Sequence, residues 1–507
     1  MLNKQKLLYD LFQAYYDARK NKRNTLNQLD FEFNLEENLI KLYNELLNWT
    51  YRVWRSIYFI QNHPVKREIF AWDFRDRIIH HLVYNCISPI FEKEFIYDSY
   101  SCRKWKWTSL GIKRVSKFIR SCSENYTKDC YVLKLDISGY FMSINKDILF
   151  EKIERVLRNY CHHCHYLVWL DNLEKSIDEG NRSPGQARGW QKWEVRGWQR
   201  TQAREWKRLF DFFYDLETIP GSSPRTKGSP WWQSMNNWWQ SFSCHYLAWP
   251  DNLEKSIDES SRSPGQARGW QRTKARGWQI LDYNFLINLI KKIIYNDCTK
   301  NSVFRWKRVD YIGLPKNKSL FFAKDWCGLP IWNLTSQLFS NIYLSDFDKY
   351  IKKDLVCKYY WRYVDDFIII HENKEFLISV IERTKKYLND NLWLRLHPNK
   401  IYLQHYSKWV LFLGTYIKPY RVYIRKRTIW YFYKKIQKLN TKLKNNDFKL
   451  DDKIKQDFLS VINSYLGILK YYKAYKITKK LLINHISSNF IDYFSISKWY
   501  TKIIRKN

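Results

Sequence analysis

Two adjacent aspartates, Asp365 and Asp366, interrupt the apolar stretch "KYYWRYVDDFIIIH" at 358–371. A strand that is apolar on both sides of such a pair is expected to be largely buried. A buried carboxylate is costly unless a positive charge or a metal offsets it. Adjacent acids at a tight turn between two strands are well placed to share divalent cations. Mg²⁺ takes hard oxygen ligands and keeps phosphate oxygens in its shell. Two such ions about 3.5–4 Å apart can activate an attacking hydroxyl and stabilise a leaving oxyanion. That arrangement calls for a third acid on a neighbouring strand. "YVLKLDISGYF" at 131–141 supplies Asp136, which ends an apolar strand ahead of a glycine-containing turn. Taken alone, Asp136 reads better as a helix-capping acid; with the downstream pair, the metal reading is preferred.

Charge points to the partner. Lys and Arg number 87 against 50 Asp and Glu, a formal net charge of +37. The excess runs along the whole chain, so it is no basic tail on a neutral body. With 38 Tyr and 29 Phe interleaved, the polyanion it suits best is nucleic acid; solubility charge accounts for part of it at most. No run of about 18 uncharged apolar residues appears, so no membrane span is expected. The N-terminus reads as an amphipathic helix rather than a secretory leader. Ten Cys without regular spacing suggest reduced thiols and a cytoplasmic protein.

Five segments are expected: N-terminal helices over 1–48, read as two; mixed strands and helices over 49–161; an insertion over 162–279; a second mixed segment over 280–417; and a Lys-rich, mostly helical 418–507. Within the insertion, "CHYLVWLDNLEKSIDEGNRSPGQARGWQ" at 164–191 recurs as "CHYLAWPDNLEKSIDESSRSPGQARGWQ" at 244–271. Two copies are fewer than a solenoid needs. The Gly, Ser, Pro, Arg, Gln and Trp around them lack helical or strand periodicity, so the segment is expected to be irregular. The cluster Cys161-His-His-Cys164-His165 has the spacing of half a zinc site or of a haem attachment site, and reads as coincidence within the repeat.

"LKLDI" followed far downstream by "YVDD" resembles the palm of a reverse transcriptase. The resemblance extends over most of the chain outside the insertion. "FRDRIIHHLVYNCISPIFEKEFIYDSYSCRKWKWT" is similar to finger motifs, "GLPIWNLTSQLFSNIYL" to the motif beneath the incoming nucleotide, "LWLRLHPNKIYLQ" to the next, "FLGTYI" to the primer grip and "NSYLGILKYY" to the thumb. The form "LPI-x-N-x-x-SQ" resembles diversity-generating retroelement enzymes most. The resemblance implies an α+β right-hand polymerase with fingers, a split-βαβ palm and a helical thumb, interrupted by the insertion.

It further implies RNA-directed DNA polymerase activity with two Mg²⁺ ions (Mn²⁺ as an alternative), template RNA, primer or cDNA, deoxynucleoside triphosphates and a small basic helical accessory protein. Asp136, Asp365 and Asp366 would be the metal ligands, with the carbonyl of Ile137 a fourth. Lys400 would protonate the leaving pyrophosphate. Arg67 and Arg75 would hold the triphosphate, either being able instead to pair with Asp73 or Asp76. Phe141 would gate the ribose 2′-hydroxyl, with a core aromatic as the alternative. Ile331 and Gln337 would flank the nucleotide, and Phe412, Leu413 and Gly414 would form the primer grip. Ile331 stands where most relatives place Gln; losing that positioning contact goes with misincorporation opposite template adenines. Two other readings stay open: a group II intron-like or defence-associated reverse transcriptase, and a catalytically silent RNA-binding protein with a retained palm.

One feature conflicts with the motifs it sits in. Trp49, Trp54, Trp105, Trp107, Trp306, Trp332, Trp361, Trp393 and Trp409 fall where relatives commonly have Gly, and the chain holds 25 Trp but only 15 Gly, against a usual glycine share of about 7%. Glycine serves where φ is positive or where the backbone approaches a ligand closely, and an indole meets neither need. A codon UGA, read as glycine in the source lineage and rendered here as tryptophan, would account for the pattern.

Overall fold

In the computed structural model of the chain, the apolar run beside the acidic pair becomes the middle of a five-stranded sheet. The described residues are 3–20, 25–62, 66–161, 282–305, 308–472, 474–497 and 499–506. The chain divides into two units, Met1–Tyr160 with Ile280–Asn507, and Cys161–Gln279. The expected insertion at 162–279 and the Cys-His cluster lie outside the described residues, Cys161 excepted.

The sheet runs β3 (Ser99–Tyr100), β6 (Tyr359–Tyr363), β7 (Asp366–His371), β4 (Tyr131–Asp136), β8 (Tyr402–His405). Strand β7 is antiparallel to both of its neighbours, so β4 and β6 run parallel with β7 inserted between them, a split β-α-β arrangement. Phe367, Ile368, Ile369 and Ile370 are all buried, because both faces of β7 are covered. On one face, helix α5 (Thr108–Cys122) lays Ile112, Val115, Phe118 and Ile119 against Val132, Ile368 and Ile370. On the other, Phe367 meets Phe347 edge-on at 5.3 Å. Each fully buried aliphatic or aromatic side chain contributes about 1.5–3 kcal/mol, which locks the register that places the acids.

Three helices precede the sheet where two were expected: α1 (Lys4–Arg19), α2 (Leu26–Phe33) and α3 (Leu35–Leu47). The extra break falls at Asn34, whose φ −123 and ψ 54 leave the helical region. Strands β1 (Ser56–Gln61) and β2 (Arg67–Ala71) form an antiparallel pair, with β5 (Ser302–Phe304) parallel to β1. Helix α4 (Phe74–Glu94) starts at Asp73, whose carboxylate accepts from the Arg75 N–H. After β4 come a short helix α6 (Tyr140–Ser143) and a helix α7 over 146–161. Helix α8 (Tyr283–Tyr295) lies antiparallel to α7: Tyr295 donates to Asp147 at 2.6 Å, and Tyr283 to Glu154 at 3.5 Å. Helices α9 (Leu334–Tyr343) and α10 (Ser345–Lys353) lead to β6, and α11 (Lys374–Leu392) follows β7.

The C-terminal part opens with β9 (Val410–Phe412), β10 (Thr415–Lys418) and β11 (Arg421–Ile424) as an antiparallel sheet. Helices α12 (Lys426–Lys444), α13 (Asp452–Leu469), α14 (Tyr475–His485) and α15 (Ser488–Tyr493) then pack about Phe432, Ile436, Phe458, Ile462 and Phe490. The hairpin β12 (Phe494–Ile496) and β13 (Ile503–Arg505) closes it, so this segment is helical with strands at both ends.

Candidate active site

Strand pairing brings the first two acids together. Asp136, the last residue of β4, is the register partner of Asp366, the first of β7. Asp365 sits with Val364 in the two-residue turn joining β6 to β7. Val364 has φ 56, a left-handed conformation that costs a β-branched residue about 1–2 kcal/mol. A buried side chain holds the turn in place: Arg362 donates through Nη1 to the Val364 carbonyl at 2.9 Å. The same guanidinium grips Asp348 through Nε at 2.7 Å and Nη2 at 2.6 Å, and Tyr360 Oη donates to that carboxylate at 2.6 Å.

The carboxylates repel one another. Burial pushes Asp365 up to about 7, and the charges of Asp366 and Asp136 add to the rise. Asp366 is also raised, by burial first, with Lys134 opposing and Asp136 adding. Lys400 Nζ reaches both Asp136 oxygens, at 3.0 and 2.8 Å. Burial pulls this ammonium down, but its hydrogen bond to Asp136 and the three carboxylate charges outweigh that and raise it. Lys134 Nζ lies 3.5 Å from Asp366 Oδ1.

These hard oxygen donors have the chemistry to hold a divalent cation, which would relieve their mutual repulsion. As the side chains stand, however, no group of three or more His, Cys, Asp or Glu among the described residues is arranged to enclose a metal. The two lysines supply the counter-charge instead. The Ile137 backbone, expected to add a ligand, bridges Leu396 across a short antiparallel contact. The flanking bonds are Ser138 N–H to Arg395 O and His397 N–H to Asp136 O, and no hydrogen bond among the described residues takes up the Ile137 carbonyl.

The expected nucleotide-binding residues divide. Phe141 lies on α6 just past Gly139 (φ 57), where an added Cβ would come 3.0 Å from the Asn317 carbonyl oxygen. The Phe141 carbonyl accepts from the Leu329 N–H at 2.8 Å, which ties it to the segment bearing Ile331. Asn333 of that segment donates to the Phe70 carbonyl on β2 at 3.2 Å, and β2 carries the exposed Arg67. Gln337, on α9, accepts from Cys102 Sγ. Phe412 is buried against Trp361 at 4.6 Å; Leu413 (φ 41) and Gly414 (φ 80) make the tight turn into β10.

Arg75 takes the alternative that the sequence left open, an ion pair with Asp76. It is buried, paired with Glu45 and with Asp76 (3.3 Å), and donates to the Arg52 carbonyl at 3.1 Å. Its guanidinium also lies over the rings of Tyr51 and Trp54, at 5.0 and 4.8 Å. These contacts hold α4 to α3 and to the segment that follows it. Sequence reasoning missed Lys134 and the Asp348–Arg362 pair. The signal for Lys134 was present, because two residues before Asp136 on a strand means the same face; Asp348 carried none.

No family's sequence model matches the chain, and no curated protein matches it. Among solved structures, it is similar to telomerase from Candida albicans in complex with a TWJ fragment of telomeric RNA. Identity is 10%, the TM-score is 0.38, and 90% of this chain and 64% of that chain are covered. It is also similar to apo telomerase from Candida tropicalis, at 10% identity and TM-score 0.38, covering 87% and 62%. The chain thus spans less than two thirds of the length of each. Among the described residues, no helix is long and apolar enough to cross a membrane.

Proposed function

We propose that the chain is an RNA-directed DNA polymerase of the diversity-generating retroelement type, copying a template RNA into cDNA. The observation that carries the reading is the register pairing of Asp136 with Asp366, with Asp365 in the adjoining turn. This places three carboxylates at one end of a buried split β-α-β sheet, two of them with raised pKa. The sequence form "LPI-x-N-x-x-SQ" supports the subtype.

Asp136, Asp365 and Asp366, with the Ile137 carbonyl, would hold Mg²⁺. When bound, paired divalent ions activate the primer 3′-hydroxyl and stabilise the leaving oxyanion. Arg362 keeps the Val364–Asp365 turn in its strained form. Lys400, kept charged by the carboxylates around it, holds a proton at Nζ for the departing pyrophosphate. Phe141 and Ile331 line the approach of the nucleotide, and Arg67 alone of the two expected arginines remains exposed for its phosphates. A net charge of +37 suits template and primer backbones. A small helical accessory protein is part of the same reading.

The ammonium groups of Lys400 and Lys134 on Asp136 and Asp366 favour a second reading, RNA binding without catalysis. Primer extension on an RNA template with Mg²⁺ and deoxynucleoside triphosphates separates the two. Extension that Asp365→Asn abolishes supports the polymerase, whereas RNA binding with no extension supports the silent protein.

A further inference from the structure

Seventeen non-glycine residues among those described have positive φ, and five are tryptophan: Trp49 (φ 61), Trp105 (φ 66), Trp326 (φ 60), Trp332 (φ 74) and Trp393 (φ 54). In this region the Cβ of an L residue crowds its own carbonyl, and only glycine enters it freely. At four of the five, backbone hydrogen bonds define the kind of position.

Trp49 comes just after Asn48, the cap of α3. Its N–H reaches the Leu46 carbonyl at 3.3 Å, and the next N–H, of Thr50, reaches Glu45 at 2.9 Å. This doubly bonded helix stop places a left-handed residue, usually glycine, at that point. Trp393 ends α11 with φ 54 and ψ 28, its N–H on the Asn389 carbonyl at 3.2 Å and the next N–H, of Leu394, on the Leu388 carbonyl at 2.9 Å, another left-handed helix stop. Trp105 and Trp326 are third residues of tight turns, closed by Lys106 N–H to Arg103 O at 3.3 Å and Cys327 N–H to Lys324 O at 3.0 Å. A positive φ at the third residue is the glycine position of a type II turn. Trp332 is the second of the two turn residues just before α9.

The indoles gain little packing in return: Trp49 meets Phe285, Trp105 meets Trp107 and Trp326 meets Tyr295, yet all five are 48–74% exposed. Where the chain uses tryptophan as a core residue, the geometry differs. Trp72 is 2% exposed among Tyr58, Ile60 and Phe70 and is not at positive φ. Trp361, grouped by sequence with the glycine-position tryptophans, is extended in β6 and fully buried. Its ring is seated on Gly111, where a Cβ would come within 2.6 Å of Cζ2. The backbone at 361 does not call for glycine, and the inference leaves that position out.

We propose that the working protein carries glycine at 49, 105, 326, 332 and 393, its source reading as glycine a UGA codon that this sequence renders as tryptophan. Trp326 was not among the positions that the motifs pointed to; its backbone adds it independently. The proposal rests on backbone conformation and does not depend on the polymerase reading. A platform of exposed indoles for stacking bases is the competing account, but stacking does not require helix stops and third turn positions.

Protein isolated from its source and cut with trypsin yields the peptide 325–349, which holds two of the five positions. Its mass is expected to match glycine at both 326 and 332; a mass matching tryptophan at either overturns the proposal. A second test uses the full chain made recombinantly, with all five tryptophans replaced by glycine or all five by alanine. The glycine chain is expected to melt higher, by several degrees, while Trp72→Gly lowers melting. An alanine chain that melts at or above the glycine chain removes the conformational ground of the inference.

Discussion

Arg362 and Asp348 form an ion pair in which both side chains are fully buried, closed at 2.6 Å, and the same arginine holds the carbonyl of Val364 at 2.9 Å. The pair links the helix before β6 to the turn that bears Asp365. Removing one partner leaves an uncompensated buried charge, which costs about 3–5 kcal/mol. Asp348→Asn is therefore expected to lower the urea midpoint sharply. The double variant Arg362→Met with Asp348→Leu is expected to recover much of that stability but not primer extension, since nothing then holds the Val364 carbonyl. Recovery of both would reduce the pair to a stability role.

Asp136→Asn and Asp365→Asn are expected to bring primer extension down to background while RNA affinity changes less than twofold. The basic surface that binds the phosphate backbone is untouched by either change. Extension rates with RNA-binding isotherms on the same preparations check this, and near-normal extension by either variant removes the carboxylates from the chemistry.

Ile331→Gln is expected to lower misincorporation opposite template adenines, because a hydrogen-bonding side chain restores a positioning contact beside the nucleotide. Sequenced cDNA from the two enzymes on one template gives the answer. An unchanged error spectrum would leave Ile331 without a role in fidelity.

His80, buried in α4 with Nδ1 2.6 Å from Thr335 Oγ1 on α9, sets an acid limit. Burial pushes its pKa down to about 3 from 6.5, with the charges of His81 and Arg77 adding. The folded state thus holds the ring neutral. Its contribution is fully present above 6.5 and is lost as pH falls from there towards 3, by at most about 1.4 kcal/mol per pH unit. His80→Gln is expected to flatten stability against pH between 6 and 4. The same slope in wild type and variant would assign the acid sensitivity elsewhere.

Joining residue 161 to residue 280 through a short turn is expected to give a folded chain that retains extension. Helices α7 and α8 are antiparallel neighbours, held by Tyr295 on Asp147 and Tyr283 on Glu154. The cut ends therefore lie close together, and closing a short loop costs little more than the connection it replaces. Circular dichroism and extension of the shortened chain test this, and aggregation would mean that 162–279 is needed for folding.

What the sequence determined by itself is local. The apolar runs of β4 and β7 marked their strands, and the adjacent acids Asp365 and Asp366 marked the turn leading into β7, because side-chain pattern and turn chemistry act within a few residues. The choice of Asp136 as the third acid also came from a local cue, an acid ending an apolar strand. Tertiary structure alone decided the register that sets Asp136 opposite Asp366, the approach of Lys400 to Asp136 across 264 positions, and the burial of Arg362 with Asp348. It also brought Arg75 against Glu45, 30 positions away. The physical reason is the same in each case. An ion pair or a strand register is fixed by which distant surfaces pack together, so Arg75 meets Glu45 of α3, which its sequence neighbourhood did not suggest, as well as the adjacent Asp76, which it did.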